Sequence, residues 1–159
     1  MSNILFHIEK LKCQYRSDKP IVLDIDSLTI NHGEVVFFLG TSGSGKSTIL
    51  ESMGLMNNTI THGDLNKSAV FDFYPDQSDK IDFFKLWSRN KEMELSAIRR
   101  NYFSFIFQST NLFGSLSAEQ NVGLPALLEG LSEQETVNKR NKIFNNILKD
   151  VDFSENDIR

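Results

Sequence analysis

Gly40-Thr41-Ser42-Gly43-Ser44-Gly45-Lys46-Ser47 is the stretch on which the reading of this chain turns. It fits the spacing G-x-x-x-x-G-K-[ST], and the chemistry of phosphate binding asks for those residue types in that order. Glycines let backbone N–H groups turn inward around phosphate oxygens, where side chains would clash. Lys46 supplies a point charge for the terminal phosphates, and the Ser47 hydroxyl a ligand for Mg²⁺. By itself the pattern says nucleoside triphosphate and Mg²⁺, without choosing the base and without implying hydrolysis.

The neighbouring residues give the loop its context. Before it, Val35, Val36, Phe37, Phe38 and Leu39 form an apolar run without alternation. That pattern predicts a strand buried on both faces, as in a parallel sheet covered by helices. After it, Ser47 to Met56 reads as a helix, whose N-terminal N–H groups and dipole favour an anion. The alternative is a glycine-rich strand-to-helix turn with an exposed lysine, and a buried strand on one side with a helix on the other argues against it.

Further upstream, residues 3–15 and 21–30 read as two strands. In the second, apolar residues fall at Ile21, Leu23 and Ile25 and then at Leu28 and Ile30. Downstream, 69–74 is a candidate strand, 83–87 a short helix, 91–100 a helix, and 103–107 a second apolar strand. Ser117 with Gln120, and Ser132 with Glu135, have capping-box spacing and start two helices. Pro125 is expected to limit or kink the first of them. In the second, Phe144, Ile147, Leu148 and Val151 share one face.

Composition narrows the function classes. At 159 residues, with 40% hydrophobic and 24% charged residues, the chain is of single-domain size and has an ordinary globular composition. A net charge of −4 gives no electrostatic reason for nucleic-acid binding. Cys13 is the only cysteine, which excludes an internal disulfide and fits a reducing compartment. No apolar run approaches the ~18–20 residues of a membrane helix, and no basic region precedes an apolar stretch at the N-terminus, so no signal peptide is expected.

The phosphate loop extended through Thr48, Gly33-Glu34 ahead of the apolar run, Tyr15 25 residues before Gly40, and Phe105-Ile106-Phe107-Gln108 together resemble the ATP-binding subunits of ABC transporters. The segment Gln108-Ser109-Thr110-Asn111-Leu112-Phe113, followed by Ala118-Glu119-Gln120-Asn121-Val122-Gly123-Leu124-Pro125, looks closest to the branch serving lipoprotein release and macrolide export. The resemblance runs from about residue 4 to 150. It implies an α/β fold: a P-loop NTPase core with an N-terminal antiparallel β subdomain and the start of a helical subdomain. The two parts would be divided near 107/108.

The same resemblance assigns roles. Gly40 through Thr48 would bind ATP, and Tyr15 would stack on adenine; the alternative for Tyr15 is a strand-end core aromatic. Ser47 and Gln108 would contact Mg²⁺, with Gln108 also sensing the γ-phosphate or attacking water; the alternative is a polar strand-end cap. Residues 109–125 would face a membrane-spanning partner, unless Leu112, Leu116 and Leu124 are simply core. A second ATP-binding subunit is a further expected partner, and the expected location is cytoplasmic, peripheral at the membrane.

Within these 159 residues there is no Leu-Ser-Gly-Gly-Gln-type signature, no apolar strand ending in Asp-Glu, and no later switch histidine. His7, His32 and His62 all lie in the first half and read as surface or turn residues, and Asp150-Val151-Asp152 lacks a preceding apolar strand. Residues 57–95 look longer than the family's usual link. These departures point to a fragment of a longer ATPase that binds Mg-ATP but hydrolyses it poorly. A non-hydrolytic regulatory module, a decayed short form, and a small-molecule P-loop kinase using Arg99-Arg100 as a basic lid stay open.

Overall fold

The computed structural model describes residues 3–62, 65–76, 79–107, 109 and 112–150, the last four of these by backbone alone. The chain divides into two compact units, Met1–Phe105 and Ile106–Arg159.

The first unit is built on an antiparallel sheet. β1 (Ile4–Cys13) pairs with β2 (Leu23–Asn31) on one side and with β3 (Val70–Phe73) on the other, and β3 carries the two-residue β4 (Ile81–Asp82), giving the order β2-β1-β3-β4. In β2 the apolar residues step from Ile25 to Leu28, out of strict alternation, and β1 steps with it. β1 buries Phe6 and Ile8 and then Leu11 and Cys13, shifting phase by one residue at the level where β2 passes from Leu28 to Ile25. Lys10, at that level, has φ 50°, a left-handed conformation uncommon for a residue with a Cβ. Because side chains alternate with period two, one such residue moves the following side chains to the other face, and all four apolar residues enter one core.

That core is closed by α1 (Lys46–Met53), α2 (Phe83–Ser88) and α3 (Glu92–Tyr102). Interlocked rings dominate it: Phe6 stacks on Phe73 at 4.9 Å, Phe71 meets Phe83 at 4.7 Å, and Phe103 meets Phe73 at 5.1 Å. Aromatic pairs at these separations stabilise beyond their buried area. The described residues between 57 and 95 contribute β3, β4, α2 and the start of α3. Asn66 pins the link: its side-chain carbonyl accepts from the Lys12 N–H at 2.8 Å, and its amide donates to the Lys12 and Ile60 carbonyls, each at 2.8 Å. Cys13 is buried, and burial pushes its thiol up, opposed by hydrogen bonds with Thr59 and Ser52. Since the thiolate is the reactive form, the folded chain will react with a thiol-specific disulfide reagent at pH 8 far more slowly than the chain in denaturant. Equal rates in a stopped assay would disprove this.

Two expected strands do not form. Residues 35–39 make no ladder with any described residue, and Val35, Phe37 and Leu39 are 76%, 79% and 90% exposed. Residues 103–107 are likewise outside the sheet, with Ile106 and Phe107 exposed. An unalternating apolar run needs partners on both edges and cover on both faces, and the antiparallel sheet supplies neither to these segments.

The second unit contains α4 (Ala118–Leu128) and α5 (Glu133–Asp150). Both capping boxes are made. The Gln120 N–H donates to Ser117 Oγ at 3.2 Å and the Ser117 N–H to Gln120 Oε1 at 2.8 Å, while Ser132 and Glu135 exchange equivalent bonds. The Ser132 hydrogen bonds hold the Glu135 carboxyl below its usual range. Helix α4 continues through Pro125 to Leu128. Gly123 gives α5 a close approach, since a Cβ there would lie 3.3 Å from Thr136 Cγ2. The expected apolar face of α5 falls mainly on Ile147, Leu148 and Val151, whose side chains lie outside the described residues.

Candidate nucleotide-binding site

The loop leads into α1 through Gly45, which takes φ 87° and ψ 5° at the N-cap. That left-handed conformation requires glycine, and packing reinforces the requirement: a Cβ at this position would sit 2.8 Å from the Val22 carbonyl oxygen. The Ser44 N–H closes a turn onto the Thr41 carbonyl at 3.3 Å, and the Ile49 N–H makes a helical bond to the Gly45 carbonyl at 3.0 Å.

No side chain caps α1, and its first turn contains no acidic residue. Its leading N–H groups are thus presented without a competing carboxylate, at the positive end of the helix dipole. The Lys46 ammonium lies within the loop, donating to the Gly40 carbonyl at 2.9 Å, the Thr41 carbonyl at 2.6 Å and Ser44 Oγ at 3.2 Å. Ser42 and Ser47 are exposed beside it. The donor set is amide, ammonium and hydroxyl, which suits a polyphosphate. Beside the loop, Ser44, Gly45 and Lys46 form one wall of a groove of about 290 Å³, and Leu23, Ile25, Leu28 and Phe38 form an apolar wall. Another concavity, of about 400 Å³, lies around Asp72, Lys80 and Asp82 and contains no loop residue.

Among the described residues no group of three or more His, Cys, Asp and Glu is placed to hold a metal ion. A Mg²⁺ accompanying a nucleotide would draw on the phosphates and the Ser47 hydroxyl, as this hydrated, oxygen-seeking cation commonly does in triphosphate sites.

Tyr15 is 45% exposed, and its hydroxyl shares a 3.1 Å hydrogen bond with Thr48 Oγ1 in the first turn of α1. Tyr15 and the phosphate loop are therefore brought together, a contact across 33 residues that no local pattern signalled. The core-aromatic alternative for Tyr15 does not fit that exposure. Gln108 lies outside the described residues. In the second unit Leu112 and Phe113 are exposed, whereas Leu116 and Leu124 are half-buried.

Arg99 is engaged elsewhere. It donates to the Leu55 carbonyl at 2.8 Å and to Ser96 Oγ at 2.8 Å, and it pairs with Glu92. The Arg99 pair holds the Glu92 carboxyl below its usual range. Arg99 thus fastens α3 to the turn after α1, which removes half of the basic pair a kinase lid would use. His32 bonds to the Tyr74 carbonyl at 2.9 Å and His62 to the Asn58 carbonyl at 2.9 Å, both in turns or bends.

A family model described as ABC transporter matches residues 23–159. The macrolide export ATP-binding/permease protein MacB 1 of Yersinia pestis bv. Antiqua is 34% identical over 141 residues, covering 87% of this chain and 19% of that protein. The lipoprotein-releasing system ATP-binding protein LolD of Rickettsia felis is 29% identical over 149 residues, covering 92% of this chain and 58% of that protein. The chain spans only part of either relative's length, and the two relatives fall in the branch that the segment after Gln108 resembles.

Proposed function

The chain belongs to the ABC transporter family as part of its ATP-binding domain, and from that we propose that it binds Mg-ATP through Gly40–Thr48 and Tyr15 in the service of transport through a membrane permease. The observation that carries the reading is the convergence of the Lys46 ammonium and the uncapped N-terminus of α1 on one loop.

Each group has a task. The loop amides and Lys46 would hold the phosphates, Ser47 would ligand Mg²⁺, Thr48 lies in the same first turn, and the half-exposed Tyr15 ring would stack on adenine. Bound Mg²⁺ would screen the phosphate charge. Gln108 remains the candidate sensor of the γ-phosphate and a second Mg²⁺ ligand. In the family's pattern hydrolysis also uses the signature motif and the Asp-Glu strand, which residues 1–159 do not contain; the proposal for this stretch is therefore binding.

We assign residues 1–107 to the β subdomain plus P-loop core and 108–159 to the helical subdomain. The exposed Leu112 and Phe113 support segment 109–125 as the surface that meets the membrane-spanning partner. No helix among the described residues is long and apolar enough to cross a membrane; in the proposed arrangement a permease spans it, with this domain on its cytoplasmic side and a second ATP-binding subunit beside it.

Calorimetric titration tests the core of the proposal. Mg-ATP is expected to bind saturably at one site per chain, and chelating Mg²⁺ with EDTA is expected to weaken binding by roughly tenfold or more, because the phosphate charge then goes unscreened. Absence of saturable binding with Mg²⁺ present would overturn the reading.

A further inference from the structure

Tyr15 and Thr48 belong to a closed circuit of hydrogen bonds. The Gln14 N–H donates to the Thr59 carbonyl at 2.9 Å. Thr59 Oγ1 meets Ser52 Oγ at 2.6 Å, and Ser52 Oγ donates to the Thr48 carbonyl at 2.7 Å. Ser52 has a single hydroxyl hydrogen, so Thr59 must be the donor in their pair. The Thr48 and Tyr15 hydroxyls then complete the circuit at 3.1 Å, one residue from Gln14.

Burial makes this circuit rigid. Gln14, Thr48, Ser52 and Thr59 are all buried, and only Tyr15 projects toward solvent. Thr48 is β-branched and packed, which restricts its rotamers. An exposed tyrosine otherwise samples several rotamers, and this one is tethered by its tip to the helical turn that follows Lys46 and Ser47. We propose that Thr48 is the positioning residue for Tyr15, fixing the ring beside the phosphate loop so that the base end and the phosphate end of a nucleoside triphosphate site are set by one turn of α1. This rests on the nucleotide-binding reading above and deepens it. Stacking alone would not need the tyrosine hydroxyl, whereas positioning does.

Tyr15→Phe and Thr48→Val each remove one hydroxyl while keeping the ring or the side-chain volume. Affinity is measured for Mg-ATP and for Mg-tripolyphosphate, which has no base. Each variant is expected to weaken Mg-ATP by roughly 3–10-fold, the value of one ordinary hydrogen bond; Tyr15→Phe is expected to leave tripolyphosphate within about twofold, and Thr48→Val, which alters a residue of the phosphate-binding stretch, to weaken it less than Mg-ATP. The double variant should be no worse than either single one, and Thr48→Ser, which keeps the hydroxyl but not the β-branch, should lose less than Thr48→Val. Without ligand, the double variant should be no less stable than Tyr15→Phe, because Tyr15→Phe alone leaves the buried Thr48 hydroxyl without this partner and Thr48→Val removes that hydroxyl. Unchanged Mg-ATP affinity in Tyr15→Phe would overturn the inference alone. So would an equal loss for tripolyphosphate in Thr48→Val, or additive losses in the double variant. Wild-type protein that binds neither probe would overturn the nucleotide reading and this inference with it.

Discussion

Lys46→Ala is expected to weaken Mg-ATP binding by about 100-fold while leaving the melting temperature within about 2 °C of wild type. The two halves of this expectation have separate causes. The ammonium's partners in the structure are the exposed loop oxygens Gly40 O, Thr41 O and Ser44 Oγ. Water replaces such bonds readily, so their loss costs the fold little. Toward a triphosphate the same ammonium makes charge-assisted hydrogen bonds, and losing two of them costs about 3 kcal/mol. Lys46→Arg should not rescue binding, because a planar, rigid fork cannot take the place of a compact ammonium inside a loop whose Gly45 backbone is already against Val22. Calorimetry and a thermal melt on the same samples decide the matter. A loss of less than threefold would mean that Lys46 does not reach the phosphates. A large drop in melting temperature would mean that the loop needs its lysine to fold.

The phosphate loop was legible in the sequence because its chemistry is local. Glycines, lysine and serine fall within eight consecutive residues, and the turn at Gly45 needs only its glycine, against which Val22 and Leu23 pack. The caps at Ser117 and Ser132 were legible for the same reason, since each closes over three residues. The alternation of residues 21–30 was legible as Ile21, Leu23 and Ile25 and then Leu28 and Ile30, whereas the left-handed Lys10 on the neighbouring strand was not.

Long-range pairing was not legible. The run at 35–39 predicts a strand buried on both faces, and the structure overturns that: an apolar run states a requirement for neighbours without supplying them, and the described sheet is antiparallel and excludes it. The same holds for residues 103–107. Sequence reasoning placed Tyr15 near the nucleotide by family resemblance, yet the bond that holds it, to a buried threonine 33 residues away, has no local signature. Resemblance supplied the proposed role, and the structure supplies the contact.

Gly54→Ala is expected to lower stability by about 2–3 kcal/mol, a drop of roughly 5–10 °C in melting temperature. Gly54 closes α1 with φ −86°, so its backbone conformation is open to any residue and the cost is purely one of contact. An added Cβ would lie 1.8 Å from Phe105 Cζ and 2.5 Å from Cε2. Those atoms belong to a planar ring and cannot bend aside; the whole ring must leave. The ring is half-buried, on the segment that leads to Gln108, and its face on Gly54 is one tie between that segment and the helix that begins at Lys46. Displacing it removes apolar contact as well as introducing strain. The cause can be isolated by a double-mutant cycle. Phe105→Ala removes the obstructing ring at its own cost, and a methyl at position 54 then enters the space the ring vacated. The double variant should therefore be more stable than the sum of the single losses by about 1 kcal/mol or more. Additive losses, or a Gly54→Ala protein that melts like wild type, would show that Phe105 does not rest on the end of α1 in solution.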